Sequence, residues 1–309
     1  MNNKAYITCF GEVLWDIFPS GSRAGGAPFN VAYHVHKMGT DVAVLSRTGN
    51  DDLGNSLRKK ISGWNISTDF LQRDNDHPTG TVIARIDEHN EAIYDIVDQV
   101  AWDYIEFLPI HKNLVSNAKA LIYGSLSSRN EKTRETLLQL LNVAKLKIFD
   151  VNLRAPFIDK DLIKILLNHA DIVKMNSSEL KQITAFSGLE FDTEDKAVQF
   201  IKNEHNIKEV VLTKGSYGAS YFTDSGKYSL PALPITIADT VGSGDAFLAG
   251  FISGRIRNEH PEKILTRAMA MGAFITSQEG ACPDYDYSDF EKFMTEKSVQ
   301  KTHRHIPRL

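Results

Sequence analysis

The chain has 309 residues, 42% of them apolar and 24% charged, a balance that supports a sizeable buried core and excludes a largely disordered polypeptide. Its net charge of −4 is carried by Lys and Arg scattered among the acids, so there is no polybasic footprint for nucleic acid or an anionic membrane, and a small-molecule partner is favoured. Cys9 and Cys282 are the two cysteines; neither has metal-ligand spacing, which fits a reducing compartment. With neither a leader-like start nor an apolar stretch of about 18 residues, the expected location is cytoplasmic.

In chain order, an apolar strand is expected over Ala5–Phe10, followed by a stretch without helical periodicity, Leu14–Ala24. A helix over Pro28–Met38 and a strand over Asp41–Leu45 come next. The segment Thr79–Tyr104 again lacks helical spacing, and its two β-rich runs read as a hairpin turning near His89 and Asn90. Strands over Ala120–Tyr123, Leu146–Phe149, Asp171–Met175 and Glu209–Leu212 alternate with helices over Asn130–Ala144, Ser177–Phe186 and Glu194–Asn203. A second hairpin spans Ala219–Leu230, helices cover Gly244–Arg257 and Pro261–Ser277, and the tail from Thr302 is peripheral. This alternation predicts an α/β fold, a mostly parallel sheet with helices on both faces. The two non-helical stretches predict a small separate sheet. By length the chain fits two domains, or one large unit with a small appendage.

The segment Asp239-Thr-Val-Gly-Ser-Gly-Asp-Ala-Phe-Leu-Ala-Gly-Phe runs from small residues straight into a helix. Gly242, Ser243 and Gly244 would let backbone N–H groups at that helix start gather around phosphate oxygens. Asp245, one residue on, could take a proton from a hydroxyl attacking a phosphoryl group. The plain alternative is a tight turn in which Asp245 only complements the helix dipole. A second segment, Gly25-Gly-Ala-Pro-Phe-Asn30, suits a sugar: two glycines admit a polyol to the backbone, and Asn30 offers both a donor and acceptors. It reads equally as a flexible turn opening a helix. His34 and His36 fall on different helix faces and are no metal pair. His303 and His305 are metal-capable but lie in the tail. Neither a Gly-x-x-x-x-Gly-Lys-[Ser/Thr] loop nor a Gly-x-Gly-x-x-Gly pattern is present.

These two segments, about 215 positions apart and in this order, resemble the two signatures of the ribokinase-like, phosphofructokinase B-type carbohydrate kinases, with Ser243 where Ala is usual. The resemblance implies a three-layer α/β sandwich, residues 1–309 as one kinase unit, and a small β-sheet lid formed by about 14–24 and 79–104. Further matches imply roles residue by residue. Asp16, in Phe10-Gly-Glu-Val-Leu-Trp-Asp16, would bind sugar hydroxyls with Gly25, Gly26 and Asn30. Arg154, in Asp150-Val-Asn-Leu-Arg154, would meet the transferred phosphate or the sugar rim, a surface ion pair being the alternative. Asn176 and Glu179 resemble an Asn-x-x-Glu motif that organises Mg²⁺, partly through water, although the same spacing makes an ordinary capping box. Thr213, Lys214, Gly215 and Gly218 resemble a nucleotide loop for ATP. Met269 stands where many relatives have Asn beside adenine, which suggests apolar packing there. Asp239 resembles the carboxylate near a K⁺ site, and otherwise simply starts a turn.

Gly11-Glu-Val-Leu-Trp-Asp-Ile-Phe-Pro and the Gly-Gly segment are most similar to fructokinases. The expectation is therefore phosphoryl transfer from MgATP to fructose, giving fructose 6-phosphate. 2-Keto-3-deoxygluconate kinase, ribokinase and nucleoside kinase are rivals, and a non-catalytic sugar- or nucleotide-binding regulator is the reading from another class. A homodimer through the lid is a further expectation. Trp15, Tyr94 and Trp102 are candidates for the pocket or for lid packing.

Overall fold

Strand β1 (Ile7–Phe10) is buried along its whole length and pairs in parallel with β4 (Val42–Gly49) on one side and β8 (Ala120–Gly124) on the other. The computed structural model that shows this describes residues 7–19, 21–86 and 92–303. Beyond β4 lies β5 (Leu71–Asp74); beyond β8 follow β9 (Lys147–Asp150), β10 (Ile172–Asn176) and β11 (Glu209–Thr213), all parallel. The hairpin β12 (Ala219–Thr223) and β13 (Gly226–Leu230) closes that edge antiparallel, completing nine strands.

Successive side chains in a strand point to opposite faces, and here both faces are apolar. Ile7, Cys9, Val42 and Val44 enter one cluster, Phe10, Ala43, Leu45 and Tyr123 the other. The first face is covered by α1 (Ala27–Lys37), α2 (Asp52–Gly63), α8 (Ser243–Arg255), α9 (Pro261–Thr276) and α10 (Tyr287–His303). The second is covered by α3 (Pro109–Asn117), α4 (Glu131–Leu141), α5 (Lys160–His169), α6 (Ser177–Phe186) and α7 (Glu194–His205). This is the expected three-layer sandwich. Helix α8 is buried on every side from Ala246 to Gly254, as a helix apolar all round must be. It fits against α9 because Gly250 carries no Cβ: one placed there would lie 2.9 Å from the Cβ of Met271.

The two non-helical stretches form a second sheet in the order β3 (Gly21–Gly25), β2 (Leu14–Phe18), β6 (Gly80–Ile86), β7 (Ala92–Ile96). β6 and β7 pair antiparallel as the predicted hairpin requires; its turn at His89 and Asn90 lies outside the described residues, as does the Tyr94 side chain. Trp102 is fully buried, and its Nε1 would be 2.3 Å from any Cβ at Gly80. Trp15 donates from Nε1 to the Leu53 carbonyl at 3.0 Å. Both indoles pack the root of this sheet.

Strand order places the function. From β1 the chain builds outward through β4 and β5, then returns to β1's other side and builds through β8 to β11. The order reverses between β1 and β8, and in open parallel sheets ligands occupy the crevice beyond the carboxyl ends at such a point. The segments leaving β1, β8, β9 and β10 all emerge there.

Candidate active site

The first wall of the crevice is the turn into α1. Gly26 caps the helix with a φ of 113°, and a Cβ there would lie 2.3 Å from the Glu12 carbonyl oxygen, so only glycine fits. Its own carbonyl accepts the Asn30 N–H at 2.8 Å. At Gly25 a Cβ would come 2.2 Å from Asp16 Oδ2; the missing side chain makes room for that carboxylate. Asn30 is 6% exposed, and its Nδ2 donates to Asp245 Oδ2 at 2.8 Å. Its Oδ1 accepts from the Cys282 thiol at 3.3 Å. The structure thus brings Asp16, Gly25, Gly26, Asn30 and Asp245 together from four separate elements, β2, β3, α1 and α8.

The second wall is the start of α8. Gly242 adopts φ 74° at the N-cap, with Ala281 so close that a Cβ would lie 2.6 Å from its Cα. Ser243 Oγ is 2.9 Å from Thr276 Oγ1 on α9, so the serine in place of alanine serves helix packing. The leading N–H groups of an α-helix have no intrahelical acceptor, and at α8 they are carried by glycine-flanked backbone. Beneath Gly244 lies Lys174, whose Nζ would be 3.2 Å from a Cβ at that glycine.

The carboxylates here are crowded and short of water. Burial pushes Asp245 up to about 6, with the charge of Asp150 adding to the rise against Lys174, Asn30 and Arg154. Burial likewise raises Asp16 to about 6, helped by Asp245 and opposed by Arg154 and Arg23. Glu12 is 2% exposed and is raised by burial to about 7. Its Oε1 accepts the Ala27 N–H at 3.2 Å, while Oε2 has no partner among the described residues. Arg154 is exposed and donates from Nη1 to the Leu153 carbonyl at 3.1 Å. It makes no ion pair among the described residues; its charge instead lowers Glu12, Asp16 and Asp245 together.

A cavity of about 430 Å³ opens beside these groups, lined by Asp16, Arg23, Lys60, Trp64, Asp239, Glu279 and Cys282 among others. Asp239 is already engaged there: Oδ1 accepts the Val241 N–H and Oδ2 the Gly280 N–H, each at 3.0 Å, and Arg23 Nη1 stands 3.5 Å from Oδ2. A monovalent cation at Asp239 would have to share it with Arg23.

Asn176 and Glu179 form a reciprocal capping box on α6. Asn176 Oδ1 accepts the Glu179 N–H at 2.9 Å, and Glu179 Oε2 accepts the Asn176 N–H at 2.7 Å. Glu179 Oε1 also accepts the Leu153 N–H at 3.1 Å. Direct metal ligation would disturb these bonds, so the pair suits a hydrated Mg²⁺ held through water and not an inner-sphere site. Among the described residues no three His, Cys, Asp or Glu side chains cluster as metal ligands.

Thr213 ends β11, Lys214 and Gly215 open a short 3₁₀ turn, and Gly218 closes it with φ 100°. A Cβ at Gly218 would lie 2.0 Å from the Leu230 carbonyl oxygen, whereas Gly215 faces open space. Met269 lines a small apolar cavity with Leu230, Pro231, Leu233 and Met294, in keeping with a packing role. Sequence reasoning passed over Glu12, Lys174 and Cys282. For Glu12 the signal was a carboxylate set between a buried strand and the apolar pair Val13 and Leu14; for Lys174 it was a lysine in an otherwise apolar strand.

Residues 10–286 match the model of the pfkB family carbohydrate kinases. The chain is 27% identical to Probable fructokinase-5 of Arabidopsis thaliana, over 96% of this chain and 100% of that protein. It is 25% identical to a fructokinase of Klebsiella pneumoniae, over 94% and 98%. The crystal structure of fructokinase with bound ATP from Xylella fastidiosa matches with a TM-score of 0.84 at 21% identity, covering 96% of this chain and 99% of that one. A double-mutant fructokinase from Vibrio cholerae O395, in fructose, ADP and potassium ion bound form, matches with a TM-score of 0.79 at 22% identity, covering 94% and 98%. With a crevice at the reversal of strand order, a glycine-flanked helix start and a family match across nearly all of its length, this chain belongs to the pfkB family of carbohydrate kinases.

Proposed function

We propose that this protein is an ATP-dependent fructokinase, which transfers the γ-phosphoryl group of MgATP to the hydroxymethyl oxygen of fructose and yields fructose 6-phosphate. The observation that carries the reading is the Asp245 carboxylate at the mouth of α8, hydrogen-bonded to Asn30 and close to Asp16. Fructokinase names among full-length relatives favour fructose over other acceptors.

In this mechanism Asp16 accepts hydrogen bonds from sugar hydroxyls, the backbone at Gly25 and Gly26 admits the ring, and Asn30 orients it. Asp245 takes the proton from the attacking hydroxyl as the new O–P bond forms and the bond to the departing ADP oxygen breaks. The N–H groups from Gly242 to Gly244 and the Arg154 guanidinium face the charge that spreads over the phosphoryl oxygens. Thr213, Lys214, Gly215 and Gly218 line the path of the nucleotide. Glu179 and Asn176 would hold Mg²⁺ through water, and the bound ion would supply charge neutralisation for the phosphates. The small sheet acts as a lid that keeps water from competing as acceptor.

The reading is tested by ADP release from MgATP with fructose, ribose, 2-keto-3-deoxygluconate and adenosine offered separately. Fructose should give the highest kcat/KM. A preference for another acceptor would move the protein to that specificity, and binding without ADP release would make it a regulator.

Asp245→Asn should lower kcat by roughly 10²- to 10⁴-fold, the usual worth of a general base, with ATP binding retained. The same change should stabilise the fold at neutral pH. A carboxyl raised from 3.8 to about 6 on folding takes up a proton between those values, so its ionised form costs stability above about pH 6 and nothing below about pH 4. Asp245→Asn should therefore be more stable than wild type by ~1–3 kcal/mol at pH 8, the worth of about two pH units at most, and the gap should close by pH 4. Urea titrations at the two pH values measure it; a variant weaker than wild type at pH 8 would contradict the electrostatics.

Activation by K⁺ at Asp239 remains part of the proposal, subject to Arg23. Initial rates in KCl and in tetramethylammonium chloride, at equal ionic strength, should differ more for Arg23→Gln than for wild type, because the variant frees the carboxylate for the ion. Equal responses would separate Arg23 from any cation effect.

A further inference from the structure

Lys174 is among the least expected residues in this sheet. It sits near the carboxyl end of β10, buried on all sides, with its side chain 8% exposed and that of its partner Asp150 5% exposed. Nζ donates to both Asp150 oxygens, at 2.9 and 3.0 Å, which leaves one of three ammonium N–H groups outside the pair. The ammonium also lies against Gly244, at the positive end of the α8 dipole. A cation is disfavoured at a helix N-terminus, and a buried ion pair seldom stabilises a fold more than an apolar pair of the same size. Neither helix stability nor core packing therefore accounts for a lysine here.

The neighbouring charges do. Asp245 is approached by Asp150 from β9, by Asp16 from β2, by Glu12 from the segment after β1 and by the Cys282 thiol from the segment after α9. Asn30 on α1 offers a neutral donor. Against the charge of Asp245 itself stand two cations, Arg154 at the exposed rim and Lys174 within, while Arg23 acts on Asp16. We infer that Lys174 is a positioning residue of this site: its buried ammonium, tied to Asp150 and seated against Gly244, holds Asp245 in its charged form and keeps the mouth of α8 electropositive. The inference rests on the reading of Asp245 as the base. Without Lys174, Arg154 and Asn30 would be left, among the leading contributions, to oppose the uptake of a proton by Asp245, and less of the base would be present at neutral pH.

The test uses the full-length protein with Lys174→Met, Lys174→Arg and the double variant Lys174→Met/Asp150→Asn. The double variant leaves no unpaired buried charge and keeps the test usable if Lys174→Met alone does not fold. The carboxyl titration of Asp245, followed by ¹³C NMR and assigned by its loss in Asp245→Asn, should move to higher pH in Lys174→Met, by about one unit, and in the same direction in the double variant. Lys174→Arg should keep the wild-type midpoint. A midpoint raised by about one unit costs about twofold in kcat near pH 7 and up to about tenfold near pH 5, so the double variant should show its acid limb displaced upward within those bounds, with the sugar KM nearly unchanged. An unmoved Asp245 midpoint, or wild-type kcat and acid limb in the folded double variant, would overturn the inference and leave Lys174 as a structural partner of Asp150. The titration needs no turnover, so a wild type that releases no ADP with any acceptor would count against the kinase reading alone.

Discussion

The hydrogen bond from Asn30 to Asp245 joins residues 215 positions apart at 2.8 Å, and the rest of the site depends on it. For this contact to form, α1 and α8 must lie on the same face of the sheet with their N-termini converging on one crevice. Both helices start at glycines with positive φ, Gly26 and Gly242, and each glycine is held against a neighbouring backbone that excludes a side chain. Conformational freedom at these two positions is thus spent on placing two helix ends side by side. The apolar character of α8 on all sides fixes its depth, because a helix with no polar face has no other place to go.

That depth creates the electrostatic problem the site must manage. Four carboxylates, Glu12, Asp16, Asp150 and Asp245, converge where water is scarce, and for three of them burial is the leading cause of a raised pKa. Loss of solvent makes the charged form costly, which in a general base is useful only up to the point where the base stays ionised at working pH. Lys174 and Arg154 limit the rise from inside and from the rim. The arrangement trades fold stability for a proton acceptor poised near neutrality, a pattern common where a carboxylate must do chemistry.

Much of this was legible in the residues. The parallel sheet follows from β-branched runs spaced by helices, and the small sheet from two stretches that lack helical spacing. The glycine pairs flanking Asn30 and Asp245 pointed to the crevice because no helix start needs so many glycines for its own sake. What escaped has physical reasons. Helices α2 and α3 bury only two large apolar side chains each, Leu57 with Ile61 and Leu114 with Val115, and α10 is polar over most of its length. Helix α5 carries a clear apolar stripe of Leu162, Ile163, Leu166 and Leu167, legible once the loop before it is discounted. Lys174 could not be assigned from its neighbours, since its meaning lies in Asp150, 24 positions away, and in a glycine on another helix. The capping box at Asn176 shows the converse: spacing alone foresaw the geometry, while any part in metal binding depends on waters that spacing does not encode.

The chemistry of this crevice turns on the state of one carboxyl group. A ¹³C NMR titration of the wild-type protein, labelled at aspartate and read at the Asp245 carboxyl carbon, measures it without any assumption about substrate. A midpoint near pH 6, well above the ordinary 3.8, is the result this arrangement predicts. A midpoint near 4 would mean that Asp245 is solvated like a surface acid, and that the mouth of α8 is not the partly dry, electrostatically balanced site described for it.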